Sequence, residues 1–406
     1  MREARPYRRQ SLAPLHPRRR SRRSHRLRRA KRGVARLCSN SHLTHSKGKH
    51  QRTVLTAVGP IPVRRTYFSC DTCRQGDFAA DPILGVDGYV TRSACRIAVF
   101  LGVRQSFKKA ERALLETVGW ELDDNTIRKL THAVAKEANA NREQRTTAET
   151  FAKAAGEPEL QIDAGKVNTT DGWRDVKVGV FAKRERGEPS TPADWAEREA
   201  PAPTVRSVIA AVEEAGDFGE RLAAEAKRLE LNNPEELSVL GDGAPWIWNL
   251  ADRHFPGADQ LLDFWHGVEH IGDAAKAVHG QASEQQKEQA KAATKQGKQK
   301  LLEDGYWGVT EWVGELTGAL AAGGDGAALG DTLNYFAGHQ ERLHYALRLR
   351  RGQTIGSGLV EGSIRQLLNL RMKQTKACWK VEHVGPFVEL AALAAGPEWQ
   401  AFWEGN

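Results

Sequence analysis

The chain has 406 residues, enough for about two to three domains. With 40% hydrophobic, 27% charged and 7% aromatic residues, its composition is that of a globular protein and not of a disordered or fibrous one. No apolar run approaches the ~20 residues that cross a bilayer, so we predict no membrane-spanning helix. The five cysteines are odd in number and too few for a disulfide framework, which favours a reducing cytosol.

The net charge of +9 is unevenly distributed along the chain. Residues 1–50 hold 17 lysines and arginines against a single acid, Glu3, whereas the remaining residues carry a net charge of −7. We therefore predict a basic, disordered tail over residues 1–50. Such a tail can neutralise nucleic-acid phosphates without reading sequence. A merely solvated tail, an organelle address and a stretch translated from a misplaced start are the alternatives.

Residues 51–150 predict a small, mostly helical DNA-binding domain. Residues 52–68 have β-branched, strand-like stretches around turn signals at Gly59 and Pro62. Residues 91–140 then show the apolar spacing of helices, and Asp124 is placed to cap one of them.

The pair Cys70-x-x-Cys73 supplies half of a possible zinc site, since a tetrahedral zinc site needs four ligands. The remaining ligands would come from upstream. Cys38 with His42 has usable spacing, and His45 with His50 is the other available pair.

From about residue 151 the pattern changes to that of a mixed α/β core, which we place at 151–279. A largely polar helical insertion follows at 280–350, and residues 351–406 complete the core with a helix containing Glu361. Asp163 and Asp242 are predicted at the carboxyl ends of two strands, where open sheets bind ligands. The predicted strands lie at residues 160–163, 173–183, 205–212, 237–240 and 261–263.

Two strand-end aspartates and one helix glutamate form a pattern that can hold two Mg²⁺ ions. Mg²⁺ prefers carboxylate oxygens and takes its other ligands from water and substrate phosphate; Mn²⁺ can substitute. Two such ions about 3.5–4 Å apart stabilise the attacking and leaving oxygens of a phosphoryl transfer. Any of these acids could instead cap a helix or lie in a solvated loop. Other acids nearby are Asp171, Asp175, Asp252, Asp259, Asp263 and Glu269.

Several stretches of the sequence resemble bacterial insertion-sequence transposases of the ISKra4 type, within the DDE group that shares an RNase H-like catalytic domain. Leu240-Gly241-Asp242-Gly243-Ala244-Pro245-Trp246 and Gly356-Ser357-Gly358-Leu359-Val360-Glu361-Gly362 carry most of the resemblance. Further similar stretches are residues 65–73, 255–258, 262–266 and 370–373 with Trp379.

The resemblance implies an α/β fold, an RNase H-like mixed sheet with a helical insertion, and Asp163, Asp242 and Glu361 as the catalytic Mg²⁺ ligands. It also implies metal-dependent cleavage of double-stranded DNA at transposon ends, followed by attack of the freed 3′-hydroxyl on target DNA. A homodimer that joins two transposon ends, in the bacterial cytoplasm at the nucleoid, is expected on the same basis.

Further residues near the acids are expected to contact DNA. Asp263-x-x-His266 looks like a signature of several DDE groups, although the two side chains could simply pack. Trp379, Trp265 or Trp246 could stack on an unpaired base, with core packing as the alternative. The expected DNA-binding residues are His266, Arg365, Arg371, Lys373, Lys376 and Trp379.

Two other functions compete with that of a transposase. A transposase-derived protein that binds DNA without catalysis would show salt-sensitive binding and no metal-dependent chemistry. A host RNase H-like nuclease would act on RNA–DNA hybrids or junctions. The presence of all three acids favours the active transposase.

Overall fold

The computed structural model describes residues 36–141, 148–318, 326–374 and 376–404. Residues 1–35 of the predicted basic tail therefore lie outside the described residues, and residues 36–50 lie within them. The chain divides into two compact units, residues 1–97 and 98–406, with the boundary inside one helix, Arg92–Arg104.

The first unit is built on a five-stranded sheet of order β3-β2-β1-β5-β4, in which β1 and β2 form a long antiparallel hairpin. Strand β1 begins at His45, inside the segment predicted as a tail. Its first residues are polar and exposed, so no apolar alternation marks them, and pairing with β2 provides their backbone partners. The elements are β1 His45–Thr56, β2 Gly59–Ser69, β3 Gly76–Phe78, α1 Asp81–Leu84, β4 Val86–Asp87, β5 Val90–Thr91 and α2 Arg92–Arg104.

Residues 51–150 thus form strands and the short helix α1 up to residue 91 and are mainly helical beyond it, in the order that the sequence pattern predicts. Helices α3 (Phe107–Val118) and α4 (Asp124–Ala140) follow as the spacing predicts. Ser106 caps α3 and Asp123 caps α4, each accepting a backbone N–H of the first turn. A short helix, α5 (Ala148–Lys153), precedes the second sheet.

The second unit is a mixed sheet of order β10-β9-β6-β7-β8 with helices between its later strands. Strands β6, β7 and β8 pair antiparallel, whereas β9 pairs parallel with both β6 and β10. All four residues of β9 are buried, as a central parallel strand requires. The elements are β6 Glu157–Thr169, β7 Gly172–Arg184, β8 Val205–Ala211, α6 Ala215–Arg228, β9 Ser238–Gly241, α7 Pro245–His254, β10 Asp259–Leu262 and α8 Phe264–His279.

Strand β6 continues six residues beyond Asp163, so this aspartate does not end its strand as predicted. The reason is the β6–β7 hairpin, which stays in register until Thr169 faces Gly172. The parallel pairing with β9 nevertheless stops at Ile162, so Asp163 lies just past the parallel part of the sheet.

Helices account for most of the described part of residues 280–350. Its last part forms two helices separated by a 3₁₀ turn. The second of them is anchored to the sheet where the Tyr345 hydroxyl donates to the Leu262 carbonyl at 3.1 Å. The helices are α9 Glu284–Asp304, α10 Tyr306–Gly318, α11 Gly326–Ala337 and α12 Tyr345–Arg350.

The last part of the chain returns to the sheet. Helix α13 (Gly358–Ile364) runs through a π-helical turn (Arg365–Asn369) into α14 (Leu370–Met372). Helices α15 (Val381–Ala395) and α16 (Glu398–Glu404) follow. Among the helices of the described residues, none has both the length and the hydropathy to cross a membrane.

Candidate functional site

Three aspartates each lie one residue beyond the parallel pairing of three neighbouring strands. In the register of the sheet, Gly241 pairs with Ile162 on one side and with Leu262 on the other. Paired residues project to the same face of a sheet, so the residues that come next are brought to one edge. Those next residues are Asp163, Asp242 and Asp263.

Asp163 is held in a half-buried position, where its Oδ1 accepts the Ala164 N–H at 2.6 Å. Burial raises the pKa of Asp163 to about 6, and the nearby charges of Asp242 and Glu361 also raise it, against the effect of His266. The neighbouring carboxylates raise this pKa, and the opposing positive charge is that of His266. Carboxylates crowded in this way are a suitable setting for a cation.

We expect Asp163→Asn to stabilise the metal-free protein at pH 7.5. Ionised Asp163 costs the fold on the order of 1–3 kcal/mol there, because its folded pKa lies about two units above the ordinary value. The asparagine can still accept the Ala164 N–H. Thermal unfolding in EDTA should show a rise in Tm of about 2–6 °C.

The sign of the shift fixes the pH dependence of this effect. A folded pKa raised above the unfolded one gives stability at low pH that is lost as the pH rises through about 6. The gain from Asp163→Asn should therefore shrink towards zero near pH 4. Asp175→Asn, at an exposed position on β7, is the matched control and should stay within about 0.5 kcal/mol of wild type. A loss of stability on Asp163→Asn at pH 7.5 would contradict the assignment.

Asp242 lies at a sharp turn after β9, where its Oδ1 accepts the Ala244 N–H at 3.0 Å. Gly243 has a φ of +93°, and a Cβ there would come within 2.5 Å of the Tyr335 hydroxyl, so only glycine fits. The Tyr335 hydroxyl donates to the Asp242 carbonyl at 3.2 Å, and burial keeps its pKa raised. Helix α11 of the predicted insertion therefore forms one wall of the site.

Glu361 is presented by α13, and its exposed carboxylate accepts the Ser357 hydroxyl at 3.1 Å. The start of this helix is fixed by Gln161, a fully buried side chain on β6. Gln161 Oε1 accepts the N–H groups of Leu359 at 3.0 Å and Val360 at 3.1 Å. One strand therefore carries both Asp163 and the side chain that holds the helix of Glu361.

Gln161 is itself held by a buried side chain, Glu159. Gln161 Nε2 donates to Glu159 at 3.1 Å, and Glu159 forms an ion pair with Arg184 at 3.0 Å. Two residues beyond Asp163, Gly165 allows a close approach of the same helical segment, because a Cβ there would lie 2.7 Å from Leu368. Sequence reasoning missed Gln161; its only signal was a polar residue between Leu160 and Ile162 in the predicted strand.

Asp263, His266 and Glu361 bring their ligand atoms within 4.8 Å of one another. Asp263 is fully buried; Oδ1 accepts the His266 N–H at 2.8 Å, and Oδ2 accepts the Ser357 N–H. These bonds cap α8 and tie it to the residue before α13. The geometry favours a positioning role for Asp263, which the sequence placed among other nearby acids and in the Asp-x-x-His signature.

The basic residues predicted to bind DNA differ in exposure. Arg365, Lys373 and Lys376 are exposed, whereas Arg371 is 4% exposed and its Nε donates to the Gly102 carbonyl at 3.0 Å. Trp379 is 7% exposed and packs its ring on Phe387 at 4.7 Å between centroids. Arg371 and Trp379 are therefore parts of the interior.

Trp265, two residues after Asp263, is an exposed tryptophan near the site. It is 48% exposed, and its indole lies 5.6 Å from that of Trp195. The Lys298 ammonium lies over both rings, at 4.5 Å and 4.4 Å from their centroids. An exposed indole beside the carboxylates is suited to stacking on a base.

The first unit contains a separate cluster of four possible metal ligands: Cys38, His42, Cys70 and Cys73. The Cys38 and Cys73 sulfurs are 3.9 Å apart, and His42 Nδ1 lies 3.1 Å from Cys73 Sγ. A tetrahedral zinc with Zn–S of about 2.3 Å would separate two sulfurs by about 3.8 Å. Of the two upstream pairs that the sequence offered, Cys38 and His42 are the ones brought to Cys70 and Cys73.

The thiols of this cluster have perturbed pKa values. Although burial opposes it, hydrogen bonds from the backbone of His42 and Asn40 lower the pKa of Cys38. The Asn40 side chain favours the Cys73 thiolate, but burial and the other two cysteines raise the pKa of Cys73. Neighbouring thiols of this kind lose their protons more readily when the thiolates share one bound cation.

Comparison of the sequence with protein-family models and with curated proteins finds no match. The resemblance to transposases stays a prediction, and function is inferred from the residues of the two sites.

Proposed function

We propose that this protein is a Mg²⁺-dependent DNA transposase of the DDE group, which cleaves DNA at transposon ends and joins them to target DNA. The observation that carries the proposal is that Asp163 and Asp242 follow paired residues of neighbouring strands, while Gln161 on the first strand holds the helix of Glu361. The charges of Asp242 and Glu361 both raise the pKa of Asp163. Such a donor set, all oxygen and partly open to solvent, fits Mg²⁺.

The topology of the second unit supports the same proposal. Three antiparallel strands followed by two parallel strands, each reached through a helix, is the order that we expect of an RNase H-like catalytic domain. The helices between residues 280 and 350 would then be the insertion that precedes the glutamate, with Tyr335 facing Asp242.

In this proposal Asp163, Asp242 and Glu361 hold the metal ions. When bound, Mg²⁺ neutralises the scissile phosphate and favours in-line attack by water or a 3′-hydroxyl. The chain itself keeps Asp242 at a fixed turn and fixes the helix of Glu361 through Gln161. We propose that Trp265 stacks on a base beside the cut, and that Arg365, Lys373 and Lys376 bind flanking phosphates of duplex DNA.

The test is strand cleavage of an end-labelled duplex that carries the DNA flanking the coding sequence. Wild-type protein should cut one strand at a fixed position with Mg²⁺ or Mn²⁺ and leave a 3′-hydroxyl, with no product in EDTA. Tight, salt-sensitive binding without cutting would favour the non-catalytic DNA-binding protein. Cutting of an RNA–DNA hybrid alone would favour the nuclease.

We also infer that the cluster of Cys38, His42, Cys70 and Cys73 binds one structural Zn²⁺. Metal analysis of the purified full chain should find about one zinc per chain. Cys73→Ser should lose most of it and lower the Tm, because binding energy at a structural site is folding energy. Cys378→Ser, an exposed cysteine outside the cluster, is the control. Wild-type protein that neither contains zinc nor gains Tm on adding it would overturn this inference.

A further inference from the structure

The second unit contains a cavity of about 680 Å³ between the starts of α3, α4 and α15 and the segment after α14. This volume is within the range of about 300–1,000 Å³ that ligand sites occupy. Among the residues that the structure describes, its lining includes five lysines and arginines and two histidines but no acidic residue. The basic residues at its rim are Arg128, Lys129, Lys376 and Lys380.

Arg371, at the base of this cavity, is buried without a counter-ion. Its guanidinium lies 4.7 Å from the Phe107 centroid and 5.0 Å from that of Trp379. Among the described residues its one hydrogen bond is that from Nε to Gly102, and Nη2 is buried without a partner. Burial lowers the pKa of Arg371 to about 10, so it is still charged at neutral pH. A buried arginine that lacks hydrogen-bond partners lowers the stability of the fold unless an anion binds to it.

Two histidines lie beside Arg371 in the cavity lining and bring no negative charge to it. His132 and His383 stack with their centroids 4.1 Å apart, and His132 Nδ1 is buried without a partner in the described part of the chain. Burial lowers the pKa of His132 to about 4, and His383, Arg128 and Arg371 lower it further. Every charged group that acts on His132 is therefore positive.

Two helix N-termini also point to an anion. Ser106 and Phe107 line the cavity at the start of α3, a helix of 12 residues. Lys380 and His383 line it at the start of α15, a helix of 15 residues whose first N–H groups have no side-chain cap. The positive end of each helix favours negative charge nearby.

We propose that this cavity is a phosphate-binding site, which takes a phosphate of a nucleic-acid backbone or a free phosphate. The guanidinium of Arg371 and the His132 imidazole form its floor, and Arg128 and Lys380 form its rim. The site goes beyond the proposed function, because it binds phosphate whether or not the acidic cluster cuts DNA.

The position of the cavity favours the nucleic-acid source. Arg371 follows Glu361 by ten residues on one continuous helical segment, which places it about 15 Å further along. Trp379, on the far side of the cavity, is bonded to the end of β6, where its N–H donates to the Asn168 carbonyl at 3.0 Å. At ~3.4 Å per nucleotide of a duplex strand, this distance corresponds to about four or five nucleotides from the acids.

The test uses the full chain in EDTA, so that no metal-dependent chemistry takes part. Calorimetric titration with inorganic phosphate at constant ionic strength measures the site directly. Arg371→Met keeps the bulk of the side chain and should abolish phosphate binding. Arg128→Gln/Lys380→Gln changes only exposed rim residues and should weaken it about tenfold, with wild-type Tm as evidence of folding.

Binding of a labelled DNA duplex, followed by fluorescence anisotropy over a range of salt, distinguishes the sources. For a backbone phosphate, the Arg128→Gln/Lys380→Gln variant should lose about tenfold in affinity, and its log–log salt slope should fall by about 2. Arg112→Gln/Lys136→Gln removes two exposed positive charges outside the cavity and is the matched control.

Unchanged DNA affinity together with lost phosphate binding would support the proposal with a free phosphate as ligand. Wild-type protein that binds no phosphate, and whose DNA binding responds equally to both double variants, would overturn it. If phosphate and DNA bind as expected but no DNA is cleaved in Mg²⁺, the proposed function is contradicted and the phosphate site is not.

Discussion

Asp242→Asn is expected to abolish metal-dependent strand cleavage, lowering the rate at least about 10³-fold, or about 4 kcal/mol. Asp242 is the central of three aligned aspartates, and its carboxylate and backbone carbonyl are fixed by Ala244 and Tyr335. Asparagine keeps the shape of the turn but removes the negative charge that a divalent cation needs. Single-turnover cleavage at saturating protein measures the loss without interference from weaker DNA binding.

Glu361→Gln should produce a loss of the same order, and DNA affinity in EDTA should stay within about twofold of wild type for both variants, since each removes only negative charge. The exposed Asp175→Asn on β7 serves as the control and should cut at the wild-type rate. If Asp242→Asn kept full activity while Asp163→Asn lost it, the assignment of Asp242 as a metal ligand would be wrong.

Gln161→Met is expected to destabilise the protein by about 2–4 kcal/mol, although methionine has nearly the volume of glutamine. The variant removes three hydrogen bonds: the half-buried Leu359 N–H loses its acceptor, the Val360 N–H keeps only the Ser357 carbonyl, and Glu159 keeps only Arg184. Chemical unfolding of the metal-free chain measures this cost.

A positioning role for Gln161 predicts a second effect that lost stability alone would not produce. The Mg²⁺ concentration for half-maximal cleavage should rise about tenfold or more, and high Mg²⁺ should restore much of the rate, because Glu361 is displaced and not removed. Gln366→Met, at an exposed glutamine of the same helical segment, should change neither quantity. If Gln161→Met has the Mg²⁺ dependence of wild type, Gln161 stabilises the fold but does not position Glu361.

The order of strands and helices in the second unit could be read from the sequence because its signals are local. The apolar run of β9 and the alternation of β7 are properties of a few adjacent residues, and they predicted these elements at nearly the observed positions. The neighbouring positions of Asp163 and Asp242 follow from the strands on which the sequence placed them. The extent of β6 was not, because its last residues are held by the hairpin with β7.

Residues that act through distant partners were beyond the reach of the sequence. Gln161 bonds to residues almost 200 positions away, and nothing near it in the chain marks that contact. Arg371 was expected to contact DNA, and its neighbours Leu370 and Lys373 are exposed, so nothing local indicates that it is buried. A π-helical turn just before it shifts the phase of the helix, and its guanidinium packs among aromatic rings instead.

The aligned ends of β6, β9 and β10 have a consequence for how the gene can change over time. Each strand ends its parallel pairing one residue before an aspartate, and side chains alternate between the two faces. Deleting one codon within β9 would turn Asp242 to the opposite face while leaving the hydrophobic sheet almost intact. If the protein acts as proposed, we expect insertions and deletions to be tolerated in the connections between strands but not within β9.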